Sequence, residues 1–322
     1  MRILVTGGAG FIGSHLCERL LADHHEVAIL DDLNDFYDPR LKEENLACIR
    51  CVGSVDFHQG DICDEALVQQ LCKQFQPEAI IHLAARAGVR PSVAQPLLYE
   101  RVNVGGTTIL LEAARQYKVR KFIFASSSSV YGVTNQVPFR EDDLELQPIS
   151  PYAATKIAGE KLAFTYAYLF GLDVTCLRFF TVYGPRQRPD LAIRKFMTLM
   201  VAGQPIPFFG DGTTGRDYTF VSDTVQGIVA ALQYHGGYDI FNLGNSSPVS
   251  LALMVQNLER ALGQSAVLQH LPIPPGDVLI TYADITKAST HLHYQPQVTF
   301  DDGIRRMAAW HAEHASRAGT AR

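Results

Sequence analysis

The chain has 322 residues, of which 47% are hydrophobic and 19% charged, and its formal net charge is −5. That balance describes a globular protein with a sizeable core and excludes a disordered chain, a collagen and a small disulfide scaffold. With 28 basic against 33 acidic residues there is no basic surplus for nucleic acid, and no apolar run approaches the roughly 20 residues a membrane-spanning helix needs.

Apolar strands and amphipathic helices then alternate. Residues 2–6 (RILVT) read as a buried strand, and residues 11–22 (FIGSHLCERLLA) carry apolar positions at helical spacing. Further strands are expected at 26–31, near 57–61, at 79–84, 121–127 and 173–180. Helices are expected around 64–75, 101–117 and 152–170. This alternation predicts a parallel sheet covered on both faces. After residue 183 prolines and glycines punctuate shorter segments. Residues 183–219 and 246–322 therefore read as a smaller, loop-rich α/β lobe. A helix at 221–234 and a strand at 240–243 would return to the first sheet, so that 220–245 belongs with 1–182. The last dozen residues (HAEHASRAGTAR) read as a frayed tail.

The opening MRILVTGG has the character of a strand and not of a secretory leader. With no export signal, the six cysteines are expected to be free thiols in a reducing, cytoplasmic setting. Cys48 and Cys51 form a C-x-x-C, but Cys63 and Cys72 do not repeat that spacing and no glycine-rich knuckle surrounds the pair. They read as small packed residues, and no metal site is expected.

Residues 6–13, TGGAGFIG, lie between the first strand and the first helix. Gly7, Gly8, Gly10 and Gly13 permit a sharp turn and a close backbone approach to a pyrophosphate, which the N–H groups at the helix start, including Phe11 and Ile12, would hold. Asp31 ends the second strand, where a carboxylate can accept the ribose hydroxyls. No Arg or Lys lies in 32–39, so a 2′-phosphate would meet Asp31 and Asp32 uncompensated, which favours NAD over NADP. The fold class is accordingly α/β, with a Rossmann-type doubly wound parallel sheet and a smaller C-terminal α/β substrate lobe.

Tyr152 and Lys156 form a Y-x-x-x-K, and on a helix positions four apart share a face. A tyrosine is a poor base near neutral pH; an ammonium one turn away and an oxidised nicotinamide would stabilise its phenolate. The Ser126–Ser129 run ends the strand KFIFA at the carboxyl edge, where open parallel sheets bind ligands.

Together these motifs resemble the extended short-chain dehydrogenases/reductases, a family of NAD-dependent nucleotide-sugar epimerases, dehydratases and decarboxylases. HLAA at 82–85, RFFTVYGPRQRPD at 178–190, GRDYTFVSD at 215–223 and PPGDV at 274–278 extend the likeness over nearly the whole chain. The resemblance implies that Tyr152 is the base, Lys156 its electrostatic partner and ribose ligand, and Ser127 the family's catalytic Ser or Thr. It implies that Asp61 and Ile62 border the adenine, that Leu83, Ala84 and Ala85 line the cofactor path, that Asn103 supports the loop beside it and that Asn34 joins the cofactor contacts. Arg216 and Asp277 match positions that bind the UDP diphosphate and ribose. An Arg often found three before that Asp is here Pro274. Arg90 is either a substrate gate or a surface charge. Phe208 or Phe209 lines a uracil pocket or packs in the core.

Family members differ in the two residues after the catalytic Ser/Thr. Dehydratases carry Asp-Glu there and UDP-glucuronate decarboxylases a Glu two residues on, whereas this chain has Ser128 and Ser129. Without an acid, the resemblance implies 4-epimerisation through a 4-keto sugar, with tightly held NAD. NDFYDPRLKEENL at 34–46 is similar to the UDP-glucuronate 4-epimerases. Ser128, Ser129, Thr181 and Arg188 would then hold the uronate carboxylate, and Arg suits a two-pronged grip. Arg188 is equally suited to the UDP diphosphate, which keeps a UDP-glucose/UDP-galactose or N-acetylhexosamine 4-epimerase as the alternative. Family dimers pair two helices of each copy. A homodimer through Ile109, Leu110, Ala113, Leu162, Tyr166 and Leu169 is therefore expected, although that stripe also suits a core.

Overall fold

The computed structural model describes residues 1–133, 136–143, 145–273 and 278–320, with side chains as far as residue 314. Seven strands form one wholly parallel sheet. They are β1 (Arg2–Thr6), β2 (Glu26–Asp31), β3 (Asp56–Gln59), β4 (Ala79–His82), β5 (Lys121–Ser127), β6 (Asp173–Phe179) and, later in the chain, Tyr238–Leu243. Two short strands, β7 (Thr181–Tyr183) and β8 (Ile206–Phe209), and then β9 (Gly215–Phe220) precede that returning strand, β10. The last strands are β11 (Pro248–Ser250) and β12 (Leu268–Leu271). The spatial order is β10-β6-β5-β4-β1-β2-β3, so the returning strand pairs with β6.

The inner strands β1, β4 and β5 are almost wholly buried because helices cover both faces of the sheet, whereas the edge strand β3 is partly exposed. Alternate side chains go to opposite layers. Ile3 and Val5 of β1, Val27 and Ile29 of β2 and Ala79 and Ile81 of β4 join one core; Leu4, Ala28, Leu30 and Ile80 join the other. The first of these cores runs on without a break into the C-terminal region through Phe208, Tyr218, Val249 and Met254. That region holds a three-stranded sheet, β11-β9-β7, and a parallel pair, β12-β8. The chain reverses its winding between β1 and β4, which opens a crevice at the carboxyl ends of the strands.

Three expectations are corrected. The helix expected over 101–117 begins with a π turn at Arg101–Gly106 before the α-helix Thr107–Gln116. Of the last dozen residues, 311–320 continue a helix, Phe300–Thr320, whose earlier turns dock through buried Ile304, Met307 and Ala308. Most of the stripe offered for dimerisation faces inward: Leu110 and Ala113 are fully buried, and Ile109, Leu162 and Tyr166 pack on the same core. A helix at Pro39–Val52 was not read from the sequence, although Asp38 caps it and Pro39 opens it. Cys48 and Cys51 lie exposed on it as free thiols.

Candidate active site

A cleft of about 360 Å³ follows the carboxyl ends of β1, β2, β4, β5 and β6. Its first wall is backbone. Gly7 takes a φ of +72°, and a Cβ there would lie 2.7 Å from the Ala84 nitrogen. A Cβ on Gly13 would collide with the Gly7 carbonyl oxygen. Gly10 begins the helix Phe11–Ala22 without any side-chain cap, so the N–H groups of its first turn are left to face the cleft. Asp31 ends β2 buried. Its Oδ2 accepts from Ala9 N–H at 3.1 Å and its Oδ1 from Leu33 N–H at 3.0 Å. Burial raises its pKa while those N–H donors pull it down.

This wall fits a dinucleotide. Bare glycine backbone admits a pyrophosphate against an uncapped helix start, a carboxylate stands at the adenosine end, and the far end opens on Tyr152 and Lys156. Phe11, Ile12, Asn34, Asp61, Ile62, Leu83, Ala84 and Ala85 line it as expected. Asn103 does not. It lies buried behind the wall, accepts from Arg86 N–H at 2.8 Å, and donates to the Arg86 carbonyl at 3.0 Å and to the Thr155 hydroxyl at 3.0 Å. Sequence reading also missed two cations. Arg86 comes within 3.7 Å of Asp32, and Lys42 donates to the Asn34 carbonyl at 2.9 Å. The acidic pair is therefore not uncompensated. Its counter-charges arrive from beyond 32–39, where local sequence gives no signal.

At the far end Ser127 closes β5, and Tyr152 and Lys156 stand one turn apart on the helix Pro151–Phe170, capped by the Ser150 hydroxyl. Lys156 is buried. It donates to the Ala125 carbonyl at 2.7 Å, and its Nζ lies 5.9 Å from the Tyr152 ring centroid. Burial pushes the Lys156 ammonium down to about 8, and Glu160 pulls it back up. Burial also raises the Tyr152 pKa, while a hydrogen bond with Ser127 and the charge of Arg188 lower it. Tyr99 packs edge-on against the Tyr152 ring at 6.3 Å and donates to the Ala87 carbonyl at 2.8 Å. Behind Lys156, Glu160 accepts two hydrogen bonds from Arg178, at 2.9 and 2.8 Å, and one from Ser126 at 2.6 Å. These three are buried, and neither Glu160 nor Arg178 was singled out from the sequence, although Glu160 continues the four-residue spacing of Tyr152 and Lys156.

The first residue of β7, Thr181, and the loop after β7, with Arg188, enter the same cleft. Phe36, from the segment after β2, lies under the Arg188 guanidinium at 5.0 Å. The loop is tied down on its other side. Arg186, at φ +64°, makes a two-pronged pair with Glu18 at 2.6 and 2.8 Å and packs against His15. Burial first, and the Arg186 charge second, push His15 down to about 4.

Of the remaining expected residues, Ser128, Ser129, Arg90, Arg216, Phe208 and Phe209 are not on the cleft wall. Ser128 and Ser129 continue from Ser127 in a 3₁₀ turn, with Ser129 N–H donating to the Ser127 Oγ at 3.2 Å. The Arg90 guanidinium lies 5.6 Å over the Phe209 ring. Arg216 donates to the Gly215 carbonyl at 2.8 Å, and Asp277 lies outside the described residues. Phe208 is buried against His270 in the core.

Residues 3–244 match the model of the NAD dependent epimerase/dehydratase family. The chain is 41% identical over 312 residues to a UDP-glucuronate 4-epimerase of Thermodesulfobacterium geofontis, covering 97% of this chain and 96% of that protein. A crystal structure of the Bacillus cereus UDP-glucuronic acid 4-epimerase, in complex with UDP-glucuronic acid and NAD, superposes with a TM-score of 0.91. It is 38% identical, over 98% of this chain and all (100%) of that one. The UDP-glucose 4-epimerase of Thermotoga maritima, solved with UDP-glucose, also gives 0.91, at 32% identity over 98% and 100% of the two chains. With a glycine-walled dinucleotide cleft ending on a tyrosine–lysine pair, this chain belongs to the NAD-dependent epimerase/dehydratase family.

Proposed function

We propose that this protein interconverts UDP-glucuronate and UDP-galacturonate as an NAD-dependent 4-epimerase. One observation carries the reaction type. Among the described residues, the carboxylates lining the cleft are Asp31, Asp32 and Asp61, all at the adenosine end. The reacting end offers Ser127, Tyr152, Lys156, Thr181 and Arg188, with no acid to expel water. Such a site can move one proton at the sugar 4-hydroxyl, and among the described lining residues there it offers no carboxylate to expel water.

In this reading Tyr152 takes the 4-hydroxyl proton and later returns it. Lys156 holds the phenolate by its charge, and Ser127 donates to the oxygen that carries the proton. Gly7, Gly10, Gly13 and Asp31 would hold NAD, which would supply a reversible hydride acceptor for carbon 4, so that return of the hydride to the opposite face of the sugar completes the epimerisation. Arg188 and Thr181 grip the uronate carboxylate from the cleft wall, joined by Ser128 and Ser129 from the turn just beyond Ser127. A grip that keeps the carboxylate in the ring plane also restrains the 4-keto sugar, a β-keto acid, from losing carbon dioxide. Arg216 and Asp277 take the diphosphate and ribose, and Arg90 sits at the entrance.

The working form in this reading is a cytoplasmic homodimer. What supports it is the helix Pro151–Phe170, whose Phe164, Tyr168 and Leu169 are 49, 79 and 60% exposed, with the Phe164 and Tyr168 rings stacked. No helix among the described residues is long and apolar enough to cross a membrane.

The test is product analysis. Purified protein receives UDP-glucuronate or UDP-glucose without added NAD, and anomeric proton NMR identifies the product. UDP-galacturonate from the first and no reaction with the second is the expected result. UDP-galactose from the second alone would make this a hexose epimerase, and a UDP-pentose would make it a decarboxylase.

A further inference from the structure

The geometry points to Asp190 as a positioning residue that aims the Arg188 guanidinium at the anionic group of the sugar. The inference rests on the reading of Arg188 as the uronate ligand. A guanidinium has two edges, each able to present a pair of parallel N–H donors. Asp190 occupies one of them: its Oδ1 accepts from Nε at 2.9 Å and its Oδ2 from Nη2 at 2.7 Å. The other edge, formed by Nη1 and the second N–H of Nη2, has no acceptor among the described residues.

The surroundings determine which partner is inside. Arg188 lines the cleft with its side chain 16% exposed, whereas Asp190 is 44% exposed and is not on the cleft wall. The carboxylate therefore holds the guanidinium from the solvent side. Phe36 supports its flat face at 5.0 Å. Pro189 separates the two residues and favours extended backbone at Arg188, and Leu191 N–H closes a turn on the Arg188 carbonyl at 3.2 Å. The Arg-Pro-Asp unit is thus a short rigid bracket, braced outside the cleft by Arg186 on Glu18.

The Asp190 charge repels an incoming carboxylate, so its presence is useful only if orientation outweighs repulsion. A long, freely rotating arginine would have to be ordered at each binding event, and the bracket orders it beforehand. The sign of the effect is therefore open to direct measurement.

Holoenzyme carrying Asp190→Ala, Asp190→Asn, Arg188→Ala or the Arg188→Ala/Asp190→Ala pair is compared with the unaltered protein. The readouts are KM and kcat for UDP-glucuronate, Kd for UDP alone, and retained NAD as a check of the fold. Asp190→Ala is expected to raise KM about 10-fold with kcat within about 2-fold, a change of tenfold in affinity being typical of one lost oriented ionic contact. Asp190→Asn, which keeps one acceptor, is expected to fall between. The Asp190→Ala effect must vanish in the Arg188→Ala background, because a positioning residue acts only through its target. An unchanged or lower KM overturns the proposal, as does an effect that persists without Arg188. If Kd for UDP rises in parallel with KM, Arg188 grips the diphosphate: the uronate reading then fails while the role of Asp190 stands.

Discussion

At the glycine end of the cleft a ligand meets main chain: the bare turn at Gly7–Gly13, the uncapped helix start and the N–H donors that already hold Asp31. At the sugar end it meets side chains gathered from five places: Phe36, Ser127, Tyr152, Thr181 and Arg188. The first end is fixed by a contiguous stretch and tolerates no added atom. The second depends on long-range packing, on pairs such as Arg186 with Glu18, and on charges whose strength is set by burial. One end meets its ligand through main chain that side-chain changes leave in place, and the other through side chains that single substitutions alter.

Substitutions at the two ends should therefore fail in different ways. The largest effect is expected for Tyr152→Phe, which should lower kcat about 10³-fold, in the range of a lost general base, while the protein still co-purifies with NAD. Loss of NAD would make Tyr152 part of the cofactor wall instead. Arg188→Ala should raise KM for UDP-glucuronate about 100-fold and weaken UDP-glucose binding by less than about 5-fold, since only the former loses a charge-assisted pair. It should also release UDP-pentose as a by-product of the loosened β-keto acid, visible by NMR; equal losses for the two sugars would assign Arg188 to the diphosphate.

Lys156→Met should abolish turnover yet stabilise the protein. Burial pushes the Lys156 ammonium down to about 8, below the ordinary lysine value, so its burial cost is fully present below pH 8. The cost fades as pH rises toward the unfolded value of about 10.4, and the variant should gain about 1–3 kcal/mol at pH 7, shrinking across that window. Thermal unfolding at pH 7 and pH 10 measures this; a less stable variant at pH 7 would show that the bond to the Ala125 carbonyl outweighs the buried charge. The smallest effect is expected for Arg186→Ala, about 3-fold in KM, as for a brace one step removed from the ligand. In that variant the His15 pKa should rise from about 4 but stay below the ordinary value, because burial is the larger cause. Proton NMR of His15 separates the two contributions.

The same contrast explains what could be read in advance. Gly7, Gly10, Gly13, Asp31 and the Tyr152–Lys156 pair are local patterns, each on one strand end or one helix face, and periodicity sufficed to place them. Arg86 and Lys42 reach the acidic pair at Asp31 and Asp32 only because the loop after β4 and the helix Pro39–Val52 fold over it. The π turn at Arg101–Gly106 joins the short helix Pro96–Glu100 to Thr107–Gln116, and it forms where Asn103 reaches both Arg86 and Thr155. The supposed dimer stripe had the right helical spacing, but spacing alone does not say whether a neighbour within the chain already covers it. Leu110 and Ala113 are covered; Tyr168 and Leu169 are not.

The most direct measurement traces deuterium through turnover. UDP-glucuronate labelled with deuterium at carbon 4 is incubated with the purified protein, without added NAD, and the product is read by NMR and mass spectrometry. The expected product is UDP-galacturonate that keeps the deuterium at carbon 4, with none in solvent. Deuterium found in released NADH or in water, or a product with the original configuration at carbon 4, would contradict hydride return within one site.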